Sequence, residues 1–427
     1  MGYVLVKGGS EAIKNAKRLV ELIRTQASEP LEISQLKGRL KLAVDQAMGE
    51  GGLYAPETAA LALEQSEGDI IEASFKIRAY RTTLPRICYS ETQDTEDMFV
   101  LRRISSAFKD IPGGQILGPT IDYTQRFIDF GQEENKKEAK IKSQNRIKNE
   151  KGKIPENEDK SGTSELTNSK LENSKLVNSK LINSRLSDFK LSDFKLPDSK
   201  LTVSEKQEEN YEFPAFKKIV DLLKEEGVIE VPAGSSLDEE EPYDVTKDPL
   251  VIPASRSARL QTLAKGETGA MLMFAYSILR GFGATHPTLA ELRVGYIPLR
   301  IKHPYTGNIV SVGEILVTEC ECINSGMGSG TSKNITENKK FAMGYGLVMG
   351  KNERKAISMS MLDAAMNTSE PKAPAEDEEF VLYHIDGVDG MGFVEHLKLP
   401  HYVSFQSTLD RLRAVQKKTE PESSANE

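Results

Sequence analysis

The chain predicts an α+β protein: a mainly helical N-terminal region, a mixed α+β C-terminal region, and a disordered low-complexity insert between them. Three observations carry this. Apolar residues recur at three-four spacing in the N-terminal part, the period of a helix that buries one stripe. From Ile309 to Ile323 apolar and polar residues alternate, which is the period of a strand. Between these regions Leu166, Leu171, Leu176, Leu181, Leu186, Leu191, Leu196 and Leu201 recur every five residues, which suits neither element. The expected segments are 1–134, 135–210 and 211–427.

Taken in order, Ser10 can cap a helix whose Ala12, Ile13, Ala16, Leu19, Val20 and Ile23 share one face. Pro56 opens another ahead of an Ala-rich run to Leu63, and Gly68-Asp69 leads into Ile70, Ile71, Phe75 and Ile77. Each unit of the pentad repeat offers one apolar side chain and a charge, so the insert is expected to be disordered, with a stacked solenoid as the alternative. Phe216, Ile219, Val220 and Leu223 then define a helix closed by Gly227, followed by an acidic, Pro-containing linker over 238–249. Leu260 to Leu279 reads as helix, and Ile309 to Ile323 as one or two strands with Leu316, Thr318, Cys320 and Cys322 on one face. A Gly-rich strand and turn from Gly344 to Gly350 precedes a helix capped by Asn352. Phe380-Val381-Leu382, after an acidic run, reads as a strand.

Composition narrows the class. Of 427 residues 38% are hydrophobic, enough for a sizeable core, and a net charge of −8 supplies no basic field for nucleic acid. The apolar run Ala270 to Leu279 is half of the ~20 residues that span a bilayer, and MGYVLVKGG has no signal-peptide pattern. A soluble, cytoplasmic protein is expected. Cys88, Cys320 and Cys322 are an odd set that fits reduced thiols, so the sequon at Asn334 carries no glycosylation meaning.

His396 and His401 are two of five histidines and look like part of a metal site. Five residues apart, they would diverge by roughly 140° on a helix and face opposite ways on a strand, so the chain must bend between them. Pro400 supplies the bend by driving Leu399 towards an extended conformation. Zinc takes about four ligands, so a pair is incomplete; two unrelated loop histidines are the bland alternative. His384 is a candidate to approach the pair, whereas His286 and His303, each before a proline, read as ordinary loop residues.

Other constellations concern anions. Gly344-x-Gly346-x-x-x-Gly350 lacks the ending of a phosphate loop, yet the helix start beyond it, with Lys351, presents N–H groups that favour an anion. Pro112-Gly113-Gly114 fits a type II turn whose glycines would let a ligand approach the backbone. Arg78, Arg81, Arg102, Arg103, Arg256 and Arg259 are candidate forks for a polyphosphate. The most plausible substrate contacts are Arg256, Arg259, Gly113 and Gly114. Cys320 and Cys322 are too few for an iron–sulfur cluster.

Nine boxes in order resemble one family: Arg78-Ala-Tyr-Arg-Thr-Thr-Leu84, Lys109-Asp-Ile-Pro-Gly-Gly-Gln115, Gly118-Pro-Thr, Asp122-Tyr-Thr, Ser255-Arg-Ser-Ala-Arg-Leu260, Thr318-Glu-Cys-Glu321, Gly344-Tyr-Gly-Leu347, Glu378-Glu-Phe-Val-Leu382 and His396-Leu-Lys-Leu-Pro-His401. The chain is similar to the PhnI subunit of bacterial carbon–phosphorus lyase, outside the insert, the acidic linker and the loop 325–340. The resemblance implies a dimeric PhnI centre that works with PhnG, PhnH, PhnJ and the ATPase-like PhnK and PhnL. It implies displacement of adenine from MgATP by methylphosphonate, giving ribose 1-methylphosphonate 5-triphosphate, and nucleosidase activity on purine nucleoside triphosphates when the subunit acts alone. It also implies zinc on His396 and His401 at the contact with PhnJ, which would complete the ligand sphere. Asp110, Asp122 and Glu319 are candidate acids or stabilisers that nothing ranks, so the catalytic residue is left unassigned. A non-catalytic, zinc-clipped scaffold is the alternative; a free-standing metallohydrolase would need a third ligand that the chain does not display.

Overall fold

The computed structural model describes residues 9–26, 29, 31–131, 217–230, 243–281, 287–325, 340–367 and 371–419. Met1–Thr120 and Phe213–Glu427 form one compact unit and Ile121–Glu212 a second; the pentad repeat falls outside the described residues.

The N-terminal part is helical: α1 Gly9–Gln26, α2 Ile33–Arg39, α3 Lys41–Gly51, α4 Pro56–Gln65 and α5 Ile70–Thr82. Local chemistry sets the ends. Pro56 takes the first position of α4, and the Asp69 carboxylate accepts from Ile71 N at 2.9 Å and Glu72 N at 3.1 Å to open α5. Ser10 lies one residue inside α1 instead of capping it, and α1 buries none of its residues. Leu36, Val44, Met48, Leu63 and Ile77 join α2 to α5 in a small core.

The remaining elements are β1 Phe99–Ile104, α6 Ile219–Glu225, β2 Ile229–Glu230, α7 Arg256–Lys265, α8 Thr268–Gly281, β3 Thr288–Lys302, β4 Ile309–Ser325, β5 Phe341–Met349, α9 Glu353–Ala365, α10 Glu378–His384, α11 Gly387–Glu395 and α12 Tyr402–Thr419. The sheet runs β1-β3-β4-β5-β2, its first four strands antiparallel and β2 parallel to β5. Because β1 pairs with β3, residues on both sides of the insert share one sheet.

One sheet face carries the main core, where Leu292, Cys320, Cys322 and Val348 meet Met359 and Leu362 of α9, Leu263 of α7, Met271 of α8 and Val381 of α10. The face of Leu316, Thr318, Cys320 and Cys322 expected from alternation is this one; all four are buried. Here α9 comes close enough that a Cβ on Gly344 would fall 1.8 Å from Ser360 O, and one on Gly346 2.3 Å from Ala356 O. Close helix–strand packing therefore explains these two glycines, with no need for a nucleotide. On the opposite face, Ile219, Val220 and Leu223 of α6 pack with Ile323 and Met343.

Three further expectations need correction. Asn352 precedes α9 but makes no side-chain hydrogen bond to its first turn. Leu260 to Leu279 is two helices, because Gly266 leaves the helical conformation (ψ 155°) and Glu267 turns its carboxylate onto Gly269 N and Ala270 N, both at 2.6 Å. Phe380-Val381-Leu382 belongs to helix α10, opened by the Asp377 side chain accepting from Phe380 N at 3.0 Å. Three apolar residues in a row fit either period, and the acidic residues before them mark a helix N-terminus.

Candidate metal centre and a buried charge network

His396 and His401 sit on an elbow between α11 and α12. A 3₁₀ turn over His396–Lys398 ends at Leu399, which is extended (φ −76°, ψ 153°) ahead of Pro400, and α12 starts at Tyr402. The steric demand of Pro400 on the residue before it accounts for this. The bend brings the two rings to 5.5 Å between centroids, tilted by 65°. With metal–nitrogen bonds of about 2 Å, two imidazoles on one tetrahedral ion have centroids roughly 5 Å apart.

The ring nitrogens are already sorted. His396 Nδ1 donates to Phe393 O and His401 Nδ1 donates to Leu399 O at 2.6 Å. A carbonyl oxygen can only accept, so the protons of the neutral rings reside on Nδ1 and each Nε2 keeps its lone pair. This is the arrangement that orients metal-binding histidines. Both rings are exposed, and no group of three or more His, Cys, Asp or Glu side chains able to hold a metal occurs among the described residues. Around them Phe393, Leu397, Val403 and Phe405 are 77, 69, 73 and 63% exposed. His384 instead lies on Phe380, with centroids 4.3 Å apart, and donates Nδ1–H to Phe380 O at 2.6 Å. His303 is a half-buried loop residue whose Nδ1 accepts from Tyr305 N and Thr306 N, both at 3.2 Å, and His286 lies outside the described residues.

The arginines are tied to groups of the chain itself, all but Arg81 to carboxylates. Asp363, fully buried, takes Arg256 at 2.7 Å, Arg259 at 3.1 Å and Tyr345 N at 2.9 Å. Arg78 grips Asp386 through two 2.8 Å contacts, Arg102 lies 3.3 Å from Glu353, Arg103 pairs with Glu291, and Arg81 donates to Gly51 O and Gly52 O. By contrast, Gly113 and Gly114 face solvent in a turn closed by Gly114 N donating to Ile111 O at 2.9 Å, with φ 77° at both glycines. Asp110 is exposed, and in the second unit Asp122 is exposed beside Arg126.

Sequence reasoning missed a buried network on the α6 side of the sheet. Glu319 receives Arg293 Nε at 2.8 Å, Thr95 Oγ1 at 2.7 Å, Lys218 Nζ at 2.9 Å and Tyr345 OH at 3.0 Å. Burial would raise its pKa, but the charges of Arg293 and Lys218 and these hydrogen bonds prevail and hold it at about 2. Glu319 is therefore a fixed anion and no proton donor. Two residues along the same strand face, burial and then the charge of Glu319 push Glu321 up to about 8. The available signal was an acidic pair at alternate positions of an otherwise apolar strand, with Arg293 in its neighbour.

The family model described as "Bacterial phosphonate metabolism protein (PhnI)" matches residues 2–419. The chain belongs to the PhnI family. Among similar PhnI-type proteins, a "Putative C-P lyase subunit protein HtxH" from Stutzerimonas stutzeri is 42% identical, covering 98% of this chain and 97% of that protein. The "Alpha-D-ribose 1-methylphosphonate 5-triphosphate synthase subunit PhnI" of Escherichia coli (strain K12) is 40% identical over 97% of this chain and 98% of its own length. The protein of the same description from Rhizobium meliloti (strain 1021) is 39% identical over 97% and 95%. No helix among the described residues is long and apolar enough to cross a membrane.

Proposed function

We propose that this PhnI-family chain is the subunit of a carbon–phosphorus lyase complex in which methylphosphonate displaces adenine from MgATP, giving ribose 1-methylphosphonate 5-triphosphate, and that alone it releases the base from purine nucleoside triphosphates. The relatives named as synthase subunits support the reaction. The observation that carries the assembly is the histidine elbow: two exposed Nε2 donors aimed by backbone carbonyls, without a third ligand of their own, inside an exposed apolar rim.

In this reading His396 and His401 hold a zinc whose remaining ligands come from a PhnJ-type neighbour, with PhnG, PhnH, PhnK and PhnL type subunits completing the particle around a dimer of this chain. Bound there, the ion supplies a cross-link between subunits. Phe393, Leu397, Val403 and Phe405 exclude water once a partner covers them, which strengthens the contact around the charge. Base displacement passes through a cationic sugar, so the chain's share is to hold the triphosphate and orient the anomeric carbon. The exposed Gly113-Gly114 turn, with Gly114 N–H spent on Ile111 O, offers the backbone N–H of Gly113 for that purpose, whereas Arg256 and Arg259 would act from their positions on Asp363.

A scaffold role is the second reading, favoured by the consumption of the arginines in internal ion pairs. Incubating the purified chain with MgATP, alone and with its partner subunits plus methylphosphonate, separates the two by chromatography of free adenine. Adenine in either arm that scales with this chain is the expected result. Its absence from both leaves the scaffold.

A further inference from the structure

Helix α8 is apolar on every side yet covered on one. Between Gly269 and Leu279 it carries no charged residue. Met271 and Ala275 are buried in the main core, and Phe274 and Ile278 pack against it. The outward face is Leu272, Met273, Tyr276 and Leu279, which share one stripe at helical spacing; all four are exposed, Met273 to 63%. Phe380 of α10 meets Phe274 edge-on at 5.9 Å between ring centroids and is itself exposed, as is Tyr383 one turn further along. A helix that is apolar all round is a helix buried all round. At 14 residues α8 is too short for a bilayer, which needs ~20, so the cover for this face is protein. Met, Tyr and Phe are the residues enriched at the dry centre of such contacts.

The two ends of α8 select the partner. Arg280 is exposed in the last turn, and the Glu267 carboxylate sits on Gly269 N and Ala270 N at the first. When two copies of α8 cross antiparallel about a two-fold axis, Met273 of one faces Tyr276 of the other, and each Arg280 comes to the end of the other helix that carries Glu267. Such a contact is apolar at its centre and oppositely charged at both rims. The exposed stripes of α1 and α12 differ. Lys17 and Arg24 border Ile13 and Val20 on α1, and Arg411 and Arg413 flank Leu412 on α12, so pairing either helix with its own copy sets cation against cation.

We infer that the outward face of α8, extended by Phe380 and Tyr383, is the surface through which two copies of this chain meet, given the dimer of the proposed reading. Neither the histidine elbow nor adenine release enters it.

Sedimentation equilibrium of the full-length chain, without partner subunits, tests it. The parent should be a dimer. Met273→Glu and Tyr276→Glu change exposed side chains, so the thermal midpoint of the monomer should stay near the parent's. By symmetry each substitution strikes the contact twice and sets carboxylates in its apolar centre, and the dissociation constant should rise about a hundredfold or more. Arg280→Glu, opposed to Glu267 across the rim, should raise it about tenfold. Ile13→Glu on α1 should leave the dimer as it is. A parent dimer that Met273→Glu and Tyr276→Glu leave intact, or that Ile13→Glu dissociates equally, would overturn the α8 surface while keeping the dimer. A parent that is monomeric at every concentration removes the dimer itself and this surface with it. In the assembled particle, loss of a different subunit from the Met273→Glu variant with the dimer retained would place that subunit on α8 instead.

Discussion

The sheet face under α6 and the elbow between α11 and α12 both gather groups that bind charge, and they treat them oppositely. Around Glu319, every charge is answered from within the chain: Arg293, Lys218, Thr95 and Tyr345 close on one carboxylate that is 2% exposed. At the elbow, two imidazoles stand in solvent with their outer nitrogens unspent. A site that is complete in itself is built for stability or positioning, whereas a site left open on an apolar surface is built to be finished by something else.

The contrast breaks most directly at its interior half. Glu319→Ala strands Arg293 and Lys218 in the core, and by the usual cost of halving a buried ion pair it should lower stability by about 3–5 kcal/mol. A shift of the denaturant midpoint equivalent to less than about 1 kcal/mol, the scale of an exposed pair, would put the network at the surface.

A subtler probe is pH. The Glu321 carboxyl titrates near 8 in the folded chain against an ordinary value of 4.5, because burial and Glu319 oppose its ionisation. The folded state keeps that proton while the unfolded state has lost it, so stability falls as pH rises from 4.5 to 8 and levels above. Glu319, held near 2, acts in the other direction and removes stability only as pH falls below 4.5. Glu321→Gln should flatten the decline between 4.5 and 8 in a series of denaturant melts; an unchanged slope would remove Glu321 as its source.

The smallest effect on folding belongs to the elbow. His396→Ala and His401→Ala delete exposed rings and should change stability by no more than about 0.5 kcal/mol. Zinc measured in the assembled particle should nevertheless fall, and phosphonate breakdown should suffer more than base release. Equal zinc in parent and variant particles would end the shared-ion reading.

How much of this was legible follows from the range of each interaction. Pro56, Asp69 and Leu399-Pro400 act on their immediate neighbours, so helix starts and the elbow's bend could be read from a few letters. Phe380-Val381-Leu382 was misread because its length cannot distinguish two periods, and the break at Gly266 depended on Glu267 reaching forward to cap α8. The charge network was illegible for the opposite reason. Thr95, Lys218, Arg293, Glu319 and Tyr345 come from five separate places in the chain; the sheet register brings Arg293, Glu319 and Tyr345 together, and Thr95 and Lys218 reach them from a turn and a helix start outside the strands. The arginine boxes were conspicuous as letters, but their partners Asp363, Asp386 and Glu291 could be assigned only in three dimensions.

Gly344 and Gly346 act as a ruler for that network. Tyr345 stands between them and reaches Glu319 from the opposite face of β5. A slip of β5 by one residue would drive the phenol into the space where even a methyl carbon would meet the carbonyl oxygens of α9. The closeness of a helix on one side of the sheet thus indexes the carboxylates on the other, and a frame-shifted pairing is refused on steric grounds before electrostatics is consulted.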